Sequence, residues 1–376
     1  MRALVMRGFG DVAVEEVPDP VAGPGEVVID VACVQPSVTE CMLLAGEPVA
    51  MHGVLAARLA AGPTRFGGHE FAGVVRSVGG SVGTGAGDVK PGDRVTAVET
   101  AACGRCAACR RDRPDACPAP SVLGFSGPGA FAERVVVPAK TVVPVPAGVG
   151  ASAAAAVQPL AGAIHGHALA DVRPGETVLV LGAGVMGVLH VRLARLGGAG
   201  TVIVTGRSPA KLDLARRAGA DLVLTADADV EAAVREATDG IGADVVFETA
   251  GGAPGAGLSG TSTLDLAARC VRRGGRIVVV SVLPDRSPAP LGLLRERAVA
   301  LLHPRSGAGG YAPGASAFDH ALRLVRRGDV DLGALVTHRL QGVEALPEAL
   351  AITRDKSAHG ALGPAQVDLL DWGQDA

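Results

Sequence analysis

The feature that most constrains this chain is a glycine-rich turn between an apolar strand and a helical pattern. The apolar run at residues 177–181 is followed by Gly182-Ala183-Gly184-Val185-Met186-Gly187, and helical periodicity continues to residue 196. In such a turn, Gly182 permits the tight bend, Gly184 lets the backbone approach a pyrophosphate, and Gly187 lets the helix pack on the strand. The free N–H groups of the helix favour the anion. We therefore predict a dinucleotide site formed by Gly182, Gly184, Val185, Met186 and Gly187.

Strands and helices alternate around this turn. Apolar strands are predicted at residues 177–181, 201–205, 222–224, 244–248 and 276–282, and helices at 185–196 and 209–218. This alternation predicts a doubly wound parallel sheet, the Rossmann arrangement. The first ~150 residues instead show short strands punctuated by Gly and Pro, at 26–34, 71–78, 94–98 and 132–137. A helix at 317–327, a strand at 336–340 and a helix at 343–353 follow. The predicted fold class is α/β, with a β-rich domain and a Rossmann domain.

The end of the second Rossmann strand indicates which dinucleotide is bound. NAD sites carry an Asp or Glu there, which accepts hydrogen bonds from the ribose 2′-hydroxyl. This chain has Gly206, Arg207 and Ser208 at that point, with Lys211 one turn later. An Arg beside a neutral residue suits a 2′-phosphate, so we predict NADP(H) rather than NAD(H). The alternative is that Arg207 is a solvated surface charge.

Composition excludes several classes of partner. The 376 residues carry a net charge of −3, which provides no basic footprint for nucleic acid. The N-terminus lacks the apolar core of a signal peptide. The longest apolar stretch, residues 151–170, is interrupted by polar residues and is unsuited to spanning a bilayer. We expect a cytoplasmic protein with a small-molecule substrate, no nucleic-acid partner and no membrane association.

Four of the seven cysteines form a cluster in the sequence. Cys103, Cys106, Cys109 and Cys117 have the spacing C-x2-C-x2-C-x7-C. Four thiolates at such a spacing close a tetrahedral zinc site with no open position, which is typical of structural zinc. An iron–sulfur cluster is the competitor, although the bacterial ferredoxin pattern has three residues before its last cysteine. Disulfides are disfavoured in the cytosol.

These motifs stand in a familiar order. Gly68-His69-Glu70 comes first, then Gly92-Asp93-Arg94-Val95, the four cysteines, Gly129-Ala130-Phe131-Ala132-Glu133, Gln158-Pro159-Leu160 and the glycine turn. The order resembles the medium-chain dehydrogenase/reductase superfamily, in its zinc-containing alcohol and polyol dehydrogenase branch. The resemblance implies a GroES-like catalytic domain at 1–157 and 304–376, a zinc lobe at 99–120, and a Rossmann domain at 158–303. It also implies a homodimer or homotetramer in which residues 298–302 pair across subunits.

The chain departs from this family at the catalytic zinc. Zinc-dependent members hold the ion through Cys, His and often Glu, and the corresponding positions here are Gln35, His69 and Gln158. Carboxamides are weak zinc donors, so even with Glu70 nearby we expect the catalytic zinc to be absent. The alternative is that Cys33 or Cys41 supplies the missing thiolate.

Without zinc, reduction of an already electrophilic group becomes the natural chemistry. We expect NADPH to reduce an activated C=C, C=N or C=O bond of a small organic substrate. Gln35, His69 and Gln158 would hydrogen-bond the substrate oxygen, and Ser37, Glu40 or His69 would supply a proton. Ser37 as a simple turn cap and Glu40 as a solvated side chain are the alternatives. Two other functions stay open: a zinc-dependent alcohol or polyol dehydrogenase with an unusual ligand set, and a non-redox or dinucleotide-sensing protein.

Overall fold

The structure is a computed structural model that describes residues 1–80, 89–111, 113–252, 259–283, 286–304, 310–312 and 315–372. The chain divides into two compact units. The first comprises Met1–Gln158 and Ser306–Ala376, and the second comprises Pro159–Arg305.

The N-terminal part of the first unit is mostly strands, as its Gly and Pro punctuation predicts. Its elements are β1 (Arg2–Gly8), β2 (Asp11–Glu16), β3 (Glu26–Gln35), α1 (Val38–Leu44), α2 (His52–Ala60), β4 (Thr64–Arg65), β5 (Glu70–Gly79), β6 (Arg94–Ala97), β7 (Thr100–Ala101), β8 (Ser121–Val122), β9 (Arg134–Pro138), β10 (Val142–Pro144) and α3 (Ala151–Ala155). Short 3-10 turns at Cys109–Arg111, Pro114–Ala116 and Ala139–Thr141 interrupt the loops.

The second unit alternates strands and helices. Its elements are α4 (Val157–Ala170, which begins at the unit boundary), β11 (Thr177–Leu181), α5 (Val185–Leu196), β12 (Thr201–Gly206), α6 (Pro209–Ala218), β13 (Leu222–Thr225), α7 (Val230–Ala237), β14 (Ala243–Glu248), α8 (Ser262–Cys270), β15 (Val271–Val279), α9 (Leu291–Glu296) and β16 (Ala300–Leu302). The strands form one parallel sheet in the order β13-β12-β11-β14-β15-β16. This is the doubly wound order, so the predicted Rossmann fold is confirmed.

The C-terminal residues return to the first unit. They form β17 (Gly310–Ala312), β18 (Ala315–Ser316), α10 (Ala317–Arg326), β19 (Arg339–Gln341), α11 (Leu346–Arg354) and β20 (Gln366–Asp368), with 3-10 turns at Gly333–Leu335 and Val343–Ala345. The main sheet runs β10-β6-β5-β3-β20-β19, with β9 also paired to β3. Its core packs Ile29, Phe71 and Phe131 against Leu346 and Leu350 of α11. The tail therefore completes both the sheet and the core of this unit.

Some predicted boundaries were wrong. The strand predicted at 276–282 spans Val271–Val279, and the one predicted at 336–340 spans Arg339–Gln341. Helices α1 and α2 were not predicted, because both are short and the segment carries mixed signals such as Gly46 and Pro48. The first of them turns out to shape the candidate site.

Candidate functional site

The glycine turn of the second unit has room for a ligand at its centre. Gly184 is the N-cap of α5, no side chain caps that helix, and a Cβ added there would meet no atom within 4 Å. A Cβ on Gly187 would lie 1.8 Å from the carbonyl oxygen of Gly182. The second glycine thus leaves space in front of the helix N-terminus, while the third allows the tight helix–strand contact. Both features fit a bound pyrophosphate.

The end of β12 combines a glycine with two cations. A Cβ on Gly206 would lie 2.8 Å from the Cβ of Ala183, which leaves little space for an acidic side chain. Burial, together with the positive charge of Arg207, lowers the pKa of Lys211, so the two cations lie close together. Arg207 also lines an open cavity of about 420 Å³ with residues 225–227. Ser208 is the N-cap of α6, without a side-chain capping bond.

The four clustered cysteines converge in space. The Sγ atoms of Cys103, Cys106, Cys109 and Cys117 all lie within 4.8 Å of one another, and all four are free thiols. Sulfurs bound to one zinc ion at ~2.3 Å stand roughly 3.8 Å apart, so this arrangement fits a tetrahedral site. Within the described ranges, no other group of His, Cys, Asp and Glu side chains converges as closely.

His69 is held by a carboxylate from α1. Ser37 and Glu40 form a capping box at the start of that helix, in which Ser37 N donates to Glu40 Oε2 at 2.7 Å and Glu40 N donates to Ser37 Oγ at 3.1 Å. Glu40 is fully buried and is therefore not a solvated side chain. Its Oε1 lies 2.8 Å from His69 Nδ1 and also accepts from Gly68 N at 2.6 Å. Glu40 thereby fixes the orientation of the imidazole ring, so that Nδ1 faces Glu40 and Nε2 faces Glu70.

Gln35 and Glu70 are joined where β3 and β5 pair in register. Gln35 Nε2 donates to Glu70 Oε2 at 2.5 Å, and Gln35 Oε1 accepts from Gln366 Nε2 at 2.8 Å. Gln366, on β20, also donates to the backbone oxygen of Ser152 at 2.9 Å. The side-chain amide of Gln35 is thus engaged at both ends.

Gln158 pairs with a carboxylate that the sequence analysis did not single out. Its Nε2 donates to Glu99 Oε1 at 3.2 Å, and both side chains are buried. Glu99 and Gln366 therefore join the six predicted residues in one polar cluster. Glu99 lies four residues before Cys103, and this position next to the cysteine cluster could have drawn attention to it in the sequence. No nearby motif marks Gln366.

The charges of this cluster shift two pKa values. Burial lowers the pKa of His69, but the carboxylates of Glu40, Glu70 and Glu99 raise it to about 9. Burial raises the pKa of Glu70 to about 7, against the opposing effects of His69 and of the hydrogen bond from Gln35. The distance from His69 Nε2 to Glu70 Oε1 is 3.7 Å, beyond hydrogen-bond range. The carboxylates around His69 therefore favour its protonated form, and Nε2 lies on the side of Glu70.

The thiols of Cys33 and Cys41 have other partners. Cys33 Sγ lies 3.6 Å from Gln366 Oε1, and Cys41 Sγ lies 3.5 Å from the backbone oxygen of Leu350. Burial raises the pKa of both thiols, that of Cys41 to about 12. Both thiols are thus buried and in contact with partners within the protein.

Comparison with known proteins agrees with this architecture. Residues 23–147 match the family model of the alcohol dehydrogenase GroES-like domain, and residues 185–327 match that of the zinc-binding dehydrogenases. The chain is 31% identical over 295 residues to sorbitol dehydrogenase of Bacillus subtilis (strain 168), covering 78% of each chain. The chain is a medium-chain dehydrogenase/reductase. As a member of this superfamily it is an oxidoreductase of the alcohol dehydrogenase type.

Other relatives extend over almost the whole length of this dehydrogenase. It is 30% identical to L-threonine 3-dehydrogenase of Pyrococcus horikoshii over 349 residues, which is 92% of this chain and 93% of the relative. A crystal structure from Sinorhizobium meliloti 1021, described as a zinc-binding dehydrogenase bound to NADP, superposes with a TM-score of 0.80. That structure has 28% sequence identity and covers 98% of both chains. Across the part of the chain that the structure describes, no helix has the length and apolar character to cross a membrane.

Proposed function

We propose that this enzyme is an NADPH-dependent reductase that transfers hydride to an activated C=C, C=N or C=O bond of a small organic substrate, and that its zinc is structural only. The observation that carries the proposal is the state of Gln35. Its Nε2 donates to Glu70 and its Oε1 accepts from Gln366, so the residue at the expected thiolate position is bound within the protein.

Gln158, at the other expected anionic position, supports the same conclusion. Gln158 donates to Glu99, and a neutral amide replaces the anionic ligand expected there. His69 alone keeps its expected identity. A site with two amides and one imidazole binds zinc weakly, since zinc prefers thiolate, imidazole and carboxylate donors. The four cysteines, in contrast, form a complete structural zinc set.

Protein groups would then replace the Lewis acid. NADPH supplies the hydride when it is bound. The surrounding carboxylates favour the protonated form of His69, and Nε2 would donate that proton to the atom that gains negative charge. Glu40 keeps the ring oriented through Nδ1, and the N-cap of α1 at Ser37 keeps Glu40 in place. Gln35 and Gln158 would bind the substrate oxygen after exchanging their internal hydrogen bonds.

The preference for NADP(H) is supported by the surroundings of Gly206. A side chain at this position would approach the Cβ of Ala183 to 2.8 Å, and the neighbouring Arg207 and Lys211 place two cations beside it. A 2′-phosphate carries the charge that such a pair binds. The Sinorhizobium meliloti neighbour was solved with NADP, which agrees with this assignment.

Metal analysis combined with isotope transfer tests the proposal. The purified protein should contain one zinc per chain, and NADPH deuterated at its transferable hydride should label the product of a conjugated enone, a cyclic imine or an activated ketone. A second zinc per chain would favour the alternative, a zinc-dependent alcohol or polyol dehydrogenase. That alternative is supported by the sorbitol and threonine dehydrogenase relatives. Dinucleotide binding without label transfer to any acceptor would favour a dinucleotide-sensing role.

A further inference from the structure

Glu99 has a carboxylate oxygen with no partner. The residue follows β6, is 5% exposed, and accepts from Gln158 through Oε1 at 3.2 Å. Its Oε2 is buried and has no hydrogen-bond donor among the described residues. A buried charged oxygen that lacks a donor is costly, so such an atom commonly marks where a ligand binds.

The surroundings of Glu99 contain more acidic than basic side chains. Three buried glutamates, Glu40, Glu70 and Glu99, surround one base, His69, and the carboxyls of all three act on its pKa. Glu40 Oε1 lies 2.8 Å from His69 Nδ1 and Glu70 Oε1 lies 3.7 Å from its Nε2, so three acidic side chains are set against a single basic one. The amides of Gln35 and Gln158 add no charge.

We propose that Glu99 recognises a positively charged nitrogen of the substrate, so that the reductase acts on an iminium or a compound with a protonated amine. This inference rests on the proposed function, because it names the substrate class of the same site. A neutral hydroxyl would satisfy the hydrogen bond of Oε2 but would leave the negative charge uncompensated. A protonated nitrogen supplies both the donor and the charge.

The chemistry of an iminium suits these groups. The hydride of NADPH adds to the iminium carbon, the C=N π pair moves onto nitrogen, and the products are a neutral amine and NADP⁺. The nicotinamide is oxidised and the iminium carbon is reduced. No proton is required in this step, since the nitrogen already carries its positive charge. Glu99 would hold the nitrogen.

A binding measurement with matched probes tests this assignment without depending on turnover. Isothermal calorimetry on the NADP⁺-loaded full chain would compare pyrrolidinium with cyclopentanol, a neutral ring of similar size. Glu99→Gln keeps the acceptor for Gln158 and removes the charge. Glu348→Gln removes a carboxylate from an exposed position on α11 and serves as the matched control.

We expect the wild type and Glu348→Gln to bind pyrrolidinium at least about tenfold more tightly than cyclopentanol, and Glu99→Gln to lose this preference while it still binds cyclopentanol. If Glu99→Gln fails to fold, Glu99→Asp, which withdraws the carboxylate by one methylene, should show a partial loss. Equal affinities in the wild type, or a preference retained in Glu99→Gln, would overturn the assignment. So would a zinc ion that is lost on mutation of Glu99. If deuterium is not transferred from NADPH to any acceptor but the preference for pyrrolidinium is retained, the result would count against the proposed function alone.

Discussion

At the scale of single residues, we expect two positions to govern what this enzyme binds. Gly206 lies where an NAD site has its acidic residue, and the Cβ of Ala183 lies too close for an added side chain. Gln35 lies where a zinc site has its thiolate, and two neighbours hold its amide. Close packing thus favours glycine at position 206, and two hydrogen bonds favour glutamine at position 35. Each case leads to a substitution test.

Arg207→Ala should reverse the cofactor preference. Loss of a charge-assisted contact to a 2′-phosphate costs roughly 1.5–3 kcal/mol, so the KM for NADPH should rise about 10- to 100-fold while the KM for NADH changes little. Steady-state kinetics with both cofactors measure this. Arg217→Ala is the control, because Arg217 is exposed on the same helix as Lys211. An unchanged NADPH preference in Arg207→Ala would show that Arg207 is a surface charge.

The double substitution Gln35→Cys with Gln158→Glu should create a second zinc site. It supplies thiolate and carboxylate beside His69, which completes a catalytic donor set of three protein ligands. The zinc content measured by elemental analysis should rise from one ion per chain to two. Gln341→Cys, on the exposed strand β19, adds a thiol elsewhere and should leave the count at one. A count of one in the double variant would mean that these amides do not control metal binding.

At the scale of elements, three pieces of the Rossmann unit meet in an aromatic stack. His167 of α4, His190 of α5 and Phe247 of β14 stack with ring centroids 4.1–5.0 Å apart. Burial lowers the pKa of His167 to about 3. Burial also holds the pKa of His190 well below its usual range, and repulsion between the two rings, if both were protonated, lowers it further. Neither ring nitrogen of His190 has a partner among the described residues. The packing of these elements therefore requires two neutral imidazoles.

This stack predicts a loss of stability in mild acid. The folded-state pKa values lie below the unfolded value near 6.5, so the stabilisation is complete above that pH and is lost as the pH falls. At about pH 5.5, one unit below the unfolded value, each histidine should cost on the order of 1 kcal/mol of unfolding free energy. Urea unfolding of the wild type and of His190→Leu at about pH 7.5 and 5.5 measures the effect. The variant should lose less stability between the two pH values; an equal loss would mean that His190 does not contribute.

At the scale of the whole molecule, the parallel sheet ends in a short strand that has no neighbour on one side among the described residues. β16 pairs with β15 alone, and Ala300 is exposed on it. An uncovered edge strand is a template for pairing with another chain. The family resemblance predicts pairing between subunits at residues 298–302, and the position of β16 is compatible with such pairing.

We therefore expect a homodimer or homotetramer that uses β16. Ala300→Arg places a charge at this edge and should weaken self-association at least about tenfold without unfolding the chain. Light scattering over a concentration series measures the change. Ala232→Arg, on the surface-exposed part of α7, controls for an added charge. A wild type that stays monomeric at high concentration would contradict the prediction.

Local sequence patterns were sufficient to predict much of the structure of this protein. The turn at Gly182–Gly187, the exact bounds of α5 and α6, and the cysteine spacing were readable because each depends on backbone conformation or periodicity within a few residues. The doubly wound parallel sheet of the Rossmann unit followed from the alternation of strands and helices, whereas its strand order came from the structure. Helix α1 was missed, although Ser37 and Glu40 have capping-box spacing, because the helix is only seven residues long.

The tertiary structure alone decided which side chains meet. Gln366 reaches Gln35 across 331 residues of sequence, because β20 pairs with β3. Glu99 reaches Gln158 because a loop after β6 and the start of α4 converge. Such contacts depend on long-range strand pairing and on close packing of the core, which no local pattern encodes. The sequence thus determined the glycine turn and the zinc-type cysteines, and the fold determined that three buried acidic side chains surround His69.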